Sequence, residues 1–135
     1  MNKLVSQGKI CPYCNSEPEF VDSSEVYGKS YGMIYLCRKC DAYVGVHKGT
    51  NKALGRLANK ELRGYKKEAH KYFDNLWKRA IAQGRSKKDA RKSAYKWLSV
   101  ELEMHVDNTH IGMFDIMLCR RVIEICRPFF KEGVG

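Results

Sequence analysis

The chain contains no apolar run approaching the ~20 residues that a membrane-spanning helix needs, and no stretch patterned like a secretory signal. It has no internal repeat and no low-complexity segment. These absences exclude a helical membrane protein and a repeat scaffold. They also leave a disulfide framework without the oxidising compartment it requires. No HNH-type pattern and no carboxylate cluster marks a catalytic centre, and no recognition-helix motif is legible. Acidic residues are scarce: 15 Asp and Glu stand against 25 Lys and Arg, a net charge of +10 over 135 residues. A chain of this length forms one domain, or a small metal module with a helical partner. The protein is expected to be soluble and cytoplasmic, with reduced thiols.

What is present is a pair of CxxC motifs. Cys11-Pro12-Tyr13-Cys14 is answered, after 22 intervening residues, by Cys37-Arg38-Lys39-Cys40. Zinc takes four ligands in a tetrahedron and binds thiolate sulfur at ~2.3 Å. A CxxC turn brings two sulfurs to one ion and offers them backbone N–H groups, and two such turns complete a closed site. A redox CxxC would occur once, near a βαβ unit. Cys11, Cys14, Cys37 and Cys40 are therefore read as the ligands of one structural Zn2+, with no open position for a catalytic water. Cys119 and Cys126 are seven residues apart. In one helix that separation is a rise of ~10.5 Å, too far to share an ion, so they read as buried apolar cysteines.

The positive charge is concentrated. Residues 1–47 hold five Lys/Arg and five Asp/Glu, residues 48–100 hold sixteen and four, and residues 101–135 hold four and six. The middle segment thus carries +12. Such an excess suggests a polyanionic partner, most often nucleic acid. The plain alternative is a solvated helical face.

Alternation and turn residues predict three strands: one starting past Pro18 and reaching Asp22, Tyr31–Leu36, and Ala42–His47. Met1–Lys9 is a lead-in read as a further ribbon strand, and Ser23–Ser30, with Gly28, as a turn or mobile hairpin tip. Lys48–Ala58 is a connector. Asn59 is placed to cap a helix whose apolar stripe runs through Leu62, Tyr65, Ala69, Tyr72/Phe73, Leu76/Trp77 and Ala80. Gly84 stops it. Ser86 to Asp89 opens a second helix reaching about Glu103, with Ala90, Ala94, Trp97, Leu98 and Leu102 inward. After a loop from His105 to Phe114, Asp115 caps a last helix that ends at Pro128. The fold class is α+β: an N-terminal four-cysteine zinc ribbon (1–50) followed by a three-helix basic subdomain (51–135), packed as one unit. Of the ribbon aromatics Tyr13, Phe20, Tyr27, Tyr31, Tyr35 and Tyr43, some cover the metal and others face water, where rings can stack on bases.

The residues Cys11-Pro12-Tyr13-Cys14, Tyr31 to Cys37, Cys40 to His47, Leu54 to Ala58, Ala69-His70, Phe73-Asp74, Leu76-Trp77 and His110 to Asp115 resemble a family of small phage and bacterial zinc-finger-containing proteins. The likeness covers nearly the whole chain, with Ala53 standing where the pattern has proline. It implies that the four knuckle cysteines hold zinc, that ribbon and helices form one unit, and that the setting is a phage or mobile element. It carries no activity.

The leading functional expectation is a non-catalytic nucleic-acid-binding protein. Its contacts would be Arg38 and Lys39 at the second knuckle, His47 at the end of the third strand, Lys48, Lys52 and Arg56 in the connector, and Lys60, Arg63, Lys66 and Lys67 on the first helix. An alternative is an interaction module or inhibitor that binds a host nucleic-acid-handling or defence complex. A third is a small metal-dependent nuclease using His105, Asp107 and His110. No membrane partner is expected.

Overall fold

The computed structural model describes residues 3–132. The chain divides into two compact units, Met1–Arg63 and Gly64–Gly135, with the division inside one long helix.

In the first unit, β1 (Glu19–Asp22), β2 (Met33–Cys37) and β3 (Ala42–Gly45) form an antiparallel sheet in the order β1-β2-β3. The register sets Phe20 opposite Tyr35 and Cys37 opposite Ala42. Alternation along β2 buries Ile34 and Leu36 and leaves Met33 and Tyr35 half-buried, as a pleated strand with one core face requires. The small core gathers Cys11, Cys37, Ala42 and Leu57, with Cys14, Cys40, Tyr35 and Val44 packed against it.

Two local readings are corrected here. The lead-in is not a strand: Lys3–Ser6 is a single helical turn, α1, while Met1 and Asn2 lie outside the described residues. Gly8 follows at φ +72, and a Cβ there would stand 3.0 Å from both Ala53 and the Tyr35 ring. That close approach admits only glycine. The hairpin tip is also structured: α2 (Ser24–Tyr27) closes on Gly28 in the left-handed conformation, with the Asp22 carboxylate accepting from Ser24 N–H at 2.8 Å. The connector returns along β3, with His47 N–H donating to Lys52 O, Leu54 N–H to Gly45 O, and Ala58 N–H to Tyr43 O. No side-chain alternation marks Lys52–Ala58, because the backbone makes these bonds.

α3 (Lys60–Ala82) begins at Asn59, whose Oδ1 accepts from Leu62 N–H at 3.0 Å. In the second unit its buried residues are Ala69, Phe73 and Asn75. Gly84, at φ +100, ends the segment. α4 (Lys87–Glu101) is capped by Ser86, which accepts from Asp89 N–H at 3.2 Å, and it buries Ala90, Leu98 and Ser99. Two short 3-10 turns, Val106–Asn108 and Ile111–Met113, lead to α5 (Ile116–Cys126). α5 is capped by the Asp115 carboxylate and buries Cys119, Val122 and Cys126. Phe73 and Phe114, both nearly fully buried, anchor this core. Asn75 clasps the C-terminal segment, donating to Lys131 O at 2.8 Å and accepting its N–H at 3.1 Å.

Candidate metal centre and basic surface

Both CxxC turns end on a residue in the left-handed region: Asn15 follows Cys14 at φ 63, and Asp41 follows Cys40 at φ 50. Asn and Asp tolerate this conformation better than other side chains, and it turns the chain back so that Asn15 N–H donates to Cys11 O at 2.9 Å. β2 and β3 then carry the second turn onto the first. The four sulfurs of Cys11, Cys14, Cys37 and Cys40 all lie within 4.8 Å of one another. The Cys14 and Cys37 sulfurs are 3.7 Å apart. Zn–S bonds of ~2.3 Å at tetrahedral angles require sulfurs ~3.8 Å apart, so the donor set fits zinc. None of the six cysteines forms a disulfide. Cys119 and Cys126 sit buried in α5, outside this cluster.

The thiols are electrostatically unequal. Hydrogen bonds from the Ser16 side chain and backbone lower Cys14 to about 6. Burial, then the crowding of neighbouring thiols, pushes Cys40 up to about 12, and burial raises Cys11. A divalent cation among four thiolates removes that crowding penalty, so metal binding and deprotonation are linked.

The fold and this cluster define a tetrathiolate zinc ribbon holding one structural zinc ion. A family model described as a zinc-finger-containing domain matches residues 7–129, and the chain belongs to that family. No curated protein and no solved structure matches it. No helix among the described residues is long and apolar enough to cross a membrane.

The basic residues singled out in the sequence have different surroundings. Lys39, His47, Lys48, Lys52, Lys60 and Lys67 are exposed. Arg38 is held between two carboxylates, Glu19 at 2.7 Å and Glu25 at 2.9 Å. Arg63 donates to Asp41 O at 2.7 Å and Ala58 O at 2.8 Å, pairs with the Asp41 carboxylate at 3.3 Å, and lies 4.1 Å from the Tyr43 ring centroid. Lys66 donates to Gly112 O at 2.6 Å. Arg56 stands 5.8 Å from the Tyr13 ring, and its buried Nε has no hydrogen-bond partner. Lys9 and Lys52 line a cleft of about 490 Å³ with Tyr35 and Asn51.

The residues of the nuclease reading are not assembled. His105 accepts from Asp107 N–H at 3.2 Å, its carboxylate 3.5 Å away, and both are exposed. His110 packs on Tyr95, with ring centroids 5.8 Å apart. Among the described residues, the group able to hold a metal through three or more such ligands is the four knuckle cysteines.

Sequence reasoning missed several of these ties. Tyr13 Oη accepts from Asn59 N–H at 3.1 Å, joining the first knuckle to the start of α3. Nothing in the sequence announces a contact across 46 residues. The left-handed Asn15 and Asp41 did carry a signal: each directly follows the second cysteine of a CxxC.

Proposed function

We propose that this chain is a non-catalytic zinc-ribbon protein that binds nucleic acid, in a phage or mobile-element setting. One observation carries the reading. Of the sixteen Lys and Arg between residues 48 and 100, eleven are exposed, against the exposed acids Glu61, Glu68 and Asp89, so the exposed groups of that segment carry a net charge of +8. Such a field attracts phosphates and releases their counterions on contact. On the ribbon unit, Lys39, His47, Lys48, Lys52 and Lys60 would meet phosphate, with Lys9 and Lys52 flanking one cleft. Arg56, half-buried against the Tyr13 ring with its Nε enclosed, offers less of its guanidinium to phosphate than these exposed residues. On the second unit, Lys67 is exposed and would meet phosphate by itself. Arg38, Arg63 and Lys66 have partners inside the chain and would contribute mainly to the fold. Exposed rings add a second kind of contact: Phe20 is 43% exposed and Tyr31 72%, and bases stack on such rings without regard to sequence.

The same exposed rings, with Leu54 beside Gly45, favour the second reading: a module that docks on a host nucleic-acid-handling or defence complex. The two readings separate by titration of the zinc-loaded chain with short single- and double-stranded DNA and RNA at two salt concentrations. Binding that weakens steeply with salt supports the first. Absent nucleic-acid binding rejects it and favours the second. In the variant carrying Lys48→Glu, Lys52→Glu and Lys60→Glu, affinity should fall similarly for all sequences, because phosphate contacts position without reading bases.

A further inference from the structure

Trp77 of α3 is surrounded by cations. The Lys78 and Lys87 ammonium groups lie 5.8 and 5.7 Å from its ring centroid, and the Arg91 guanidinium lies 5.7 Å away. Three cations around one indole form a cluster of like charge. Residues 71–92 hold eight Lys and Arg against two Asp and Glu. One of those acids is already engaged. The Asp74 carboxylate accepts from Trp77 Nε1 at 2.9 Å and faces His70 Nδ1 at 3.5 Å. That bond fixes the indole's orientation. Lys87 and Arg91 have no carboxylate partner among the described residues, and both are exposed. Beside the indole is a cavity of about 400 Å³, lined by Trp77 and Trp97 together with Gln83, Arg85, Ser93 and Phe129. Small-molecule sites span ~300–1,000 Å³.

We propose that this α3–α4 cleft holds one base of a single-stranded nucleic acid, stacked on Trp77, with the flanking phosphates on Lys87 and Arg91. The inference rests on the nucleic-acid reading above and assigns it a second contact. A flexible lysine that covers the ring in the absence of ligand can move to a phosphate when a base takes its place. Duplex bases are already stacked and present no free face. An acidic peptide would neutralise the cations but leave the indole without a planar partner.

The chain has two tryptophans, so Trp97→Phe leaves Trp77 as the one indole emitter, and because Trp97 lines the cleft the oligonucleotide affinity of that background is first compared with the parent's. The full zinc-loaded chain is titrated with oligo(dT) and oligo(rU) of about 12 nucleotides, within the site sizes of single-strand binders, and with heparin and polyglutamate. The oligonucleotides should quench Trp77, and heparin should bind without comparable quenching. Trp77→Ala should weaken oligonucleotide affinity by roughly 5- to 150-fold, and Trp77→Phe should restore most of it. Lys87→Gln with Arg91→Gln alters only exposed side chains, so it decides the matter even if Trp77→Ala fails to fold. It should reduce the salt slope by about 1.4, at ~0.7 per single-strand phosphate contact. Equal quenching by heparin or polyglutamate overturns the stacked base. Oligonucleotide binding without quenching, with the Lys87/Arg91 variant binding as the parent does, overturns this site and leaves the ribbon reading standing. No oligonucleotide binding at all overturns both.

Discussion

Arg63→Ala should destabilise the zinc-loaded ribbon unit, although the residue stands in the most basic part of the sequence. Its guanidinium donates to two backbone carbonyls, Asp41 O and Ala58 O, and packs 4.1 Å from the Tyr43 ring centroid. Hydrogen bonds from a charged donor contribute roughly 1.5–3 kcal/mol each. Ala58 O keeps the Tyr43 N–H when Arg63 is removed, and Asp41 is exposed, so the lower end applies. The Tyr43 contact adds ~0.5–1 kcal/mol and the exposed Asp41 ion pair ~0–1 kcal/mol. These terms sum to about 3.5–5 kcal/mol, and because both hydrogen bonds come from the one Nη1 atom they do not add in full, so about 2–4 kcal/mol is expected. Arg63→Lys should recover only part, because one guanidinium nitrogen serves both carbonyls and an ammonium could replace it there, but it cannot also lie flat on the Tyr43 ring and reach the Asp41 carboxylate. Lys67→Ala, at an exposed position on the same helix, should change stability by less than ~0.5 kcal/mol. Urea denaturation with zinc retained, alongside release of zinc to a chromogenic chelator, measures both. If Arg63→Ala matched Lys67→Ala in stability and zinc retention yet lost polyanion affinity, the assignment of Arg63 as a clamp on the second knuckle would be refuted.

Metal analysis should find one zinc per chain, lost with Ser at any of Cys11, Cys14, Cys37 or Cys40 and kept in Cys119→Ala. Zinc affinity should fall as pH falls, since protons compete for the thiolates. Cys11 and Cys40, both raised, should release protons on loading, which calorimetry in buffers of different ionisation enthalpy would detect. Phe73→Ala, at a fully buried position, should destabilise the helical unit by about 3–5 kcal/mol, read by thermal melting, without loss of zinc. Phe20→Ser with Tyr31→Ser should leave zinc content and ribbon stability nearly intact while weakening partner binding.

The parts legible in the sequence were those that depend on local chemistry. Paired CxxC motifs name a tetrathiolate site wherever they meet, and Asn59, Ser86 and Asp115 were readable as caps because a cap bonds only two or three residues on. The apolar spacing of Ala69 and Phe73, or of Cys119, Val122 and Cys126, marks the buried face for the same reason. What could not be read depends on contacts between distant segments. Arg38 and Arg63 look like phosphate ligands in a string of basic residues, yet Glu19, Glu25 and the Asp41 backbone reach them only after the sheet forms. The α1 turn was hidden for another reason: Gly8 is required by the approach of Tyr35 and Ala53, and neither is near it in sequence.

The expectation for Phe20 and Tyr31 follows from what stabilises the first unit. Three short strands cannot enclose a large apolar core, and here the knuckle cysteines themselves occupy the centre, beside Ala42 and Leu57. For structural zinc in finger peptides the apparent binding free energy is ~10–16 kcal/mol, and it is folding free energy. Burying one large apolar side chain contributes ~1.5–3 kcal/mol. A ring that is 43% or 72% exposed, as Phe20 and Tyr31 are, contributes only part of that. The metal term therefore decides whether the ribbon folds, and the rings can face solvent without endangering it. Phe20 still packs on Tyr35 across the β1–β2 pair, with centroids 4.9 Å apart, and Tyr31 meets Tyr27 edge-on at 5.7 Å. Those contacts hold the rings in place, so a base or an apolar partner surface would meet them already oriented. If the double Ser variant instead released zinc or unfolded the ribbon, the rings would be part of the core and the separation of a metal-held fold from an exposed contact surface would fail.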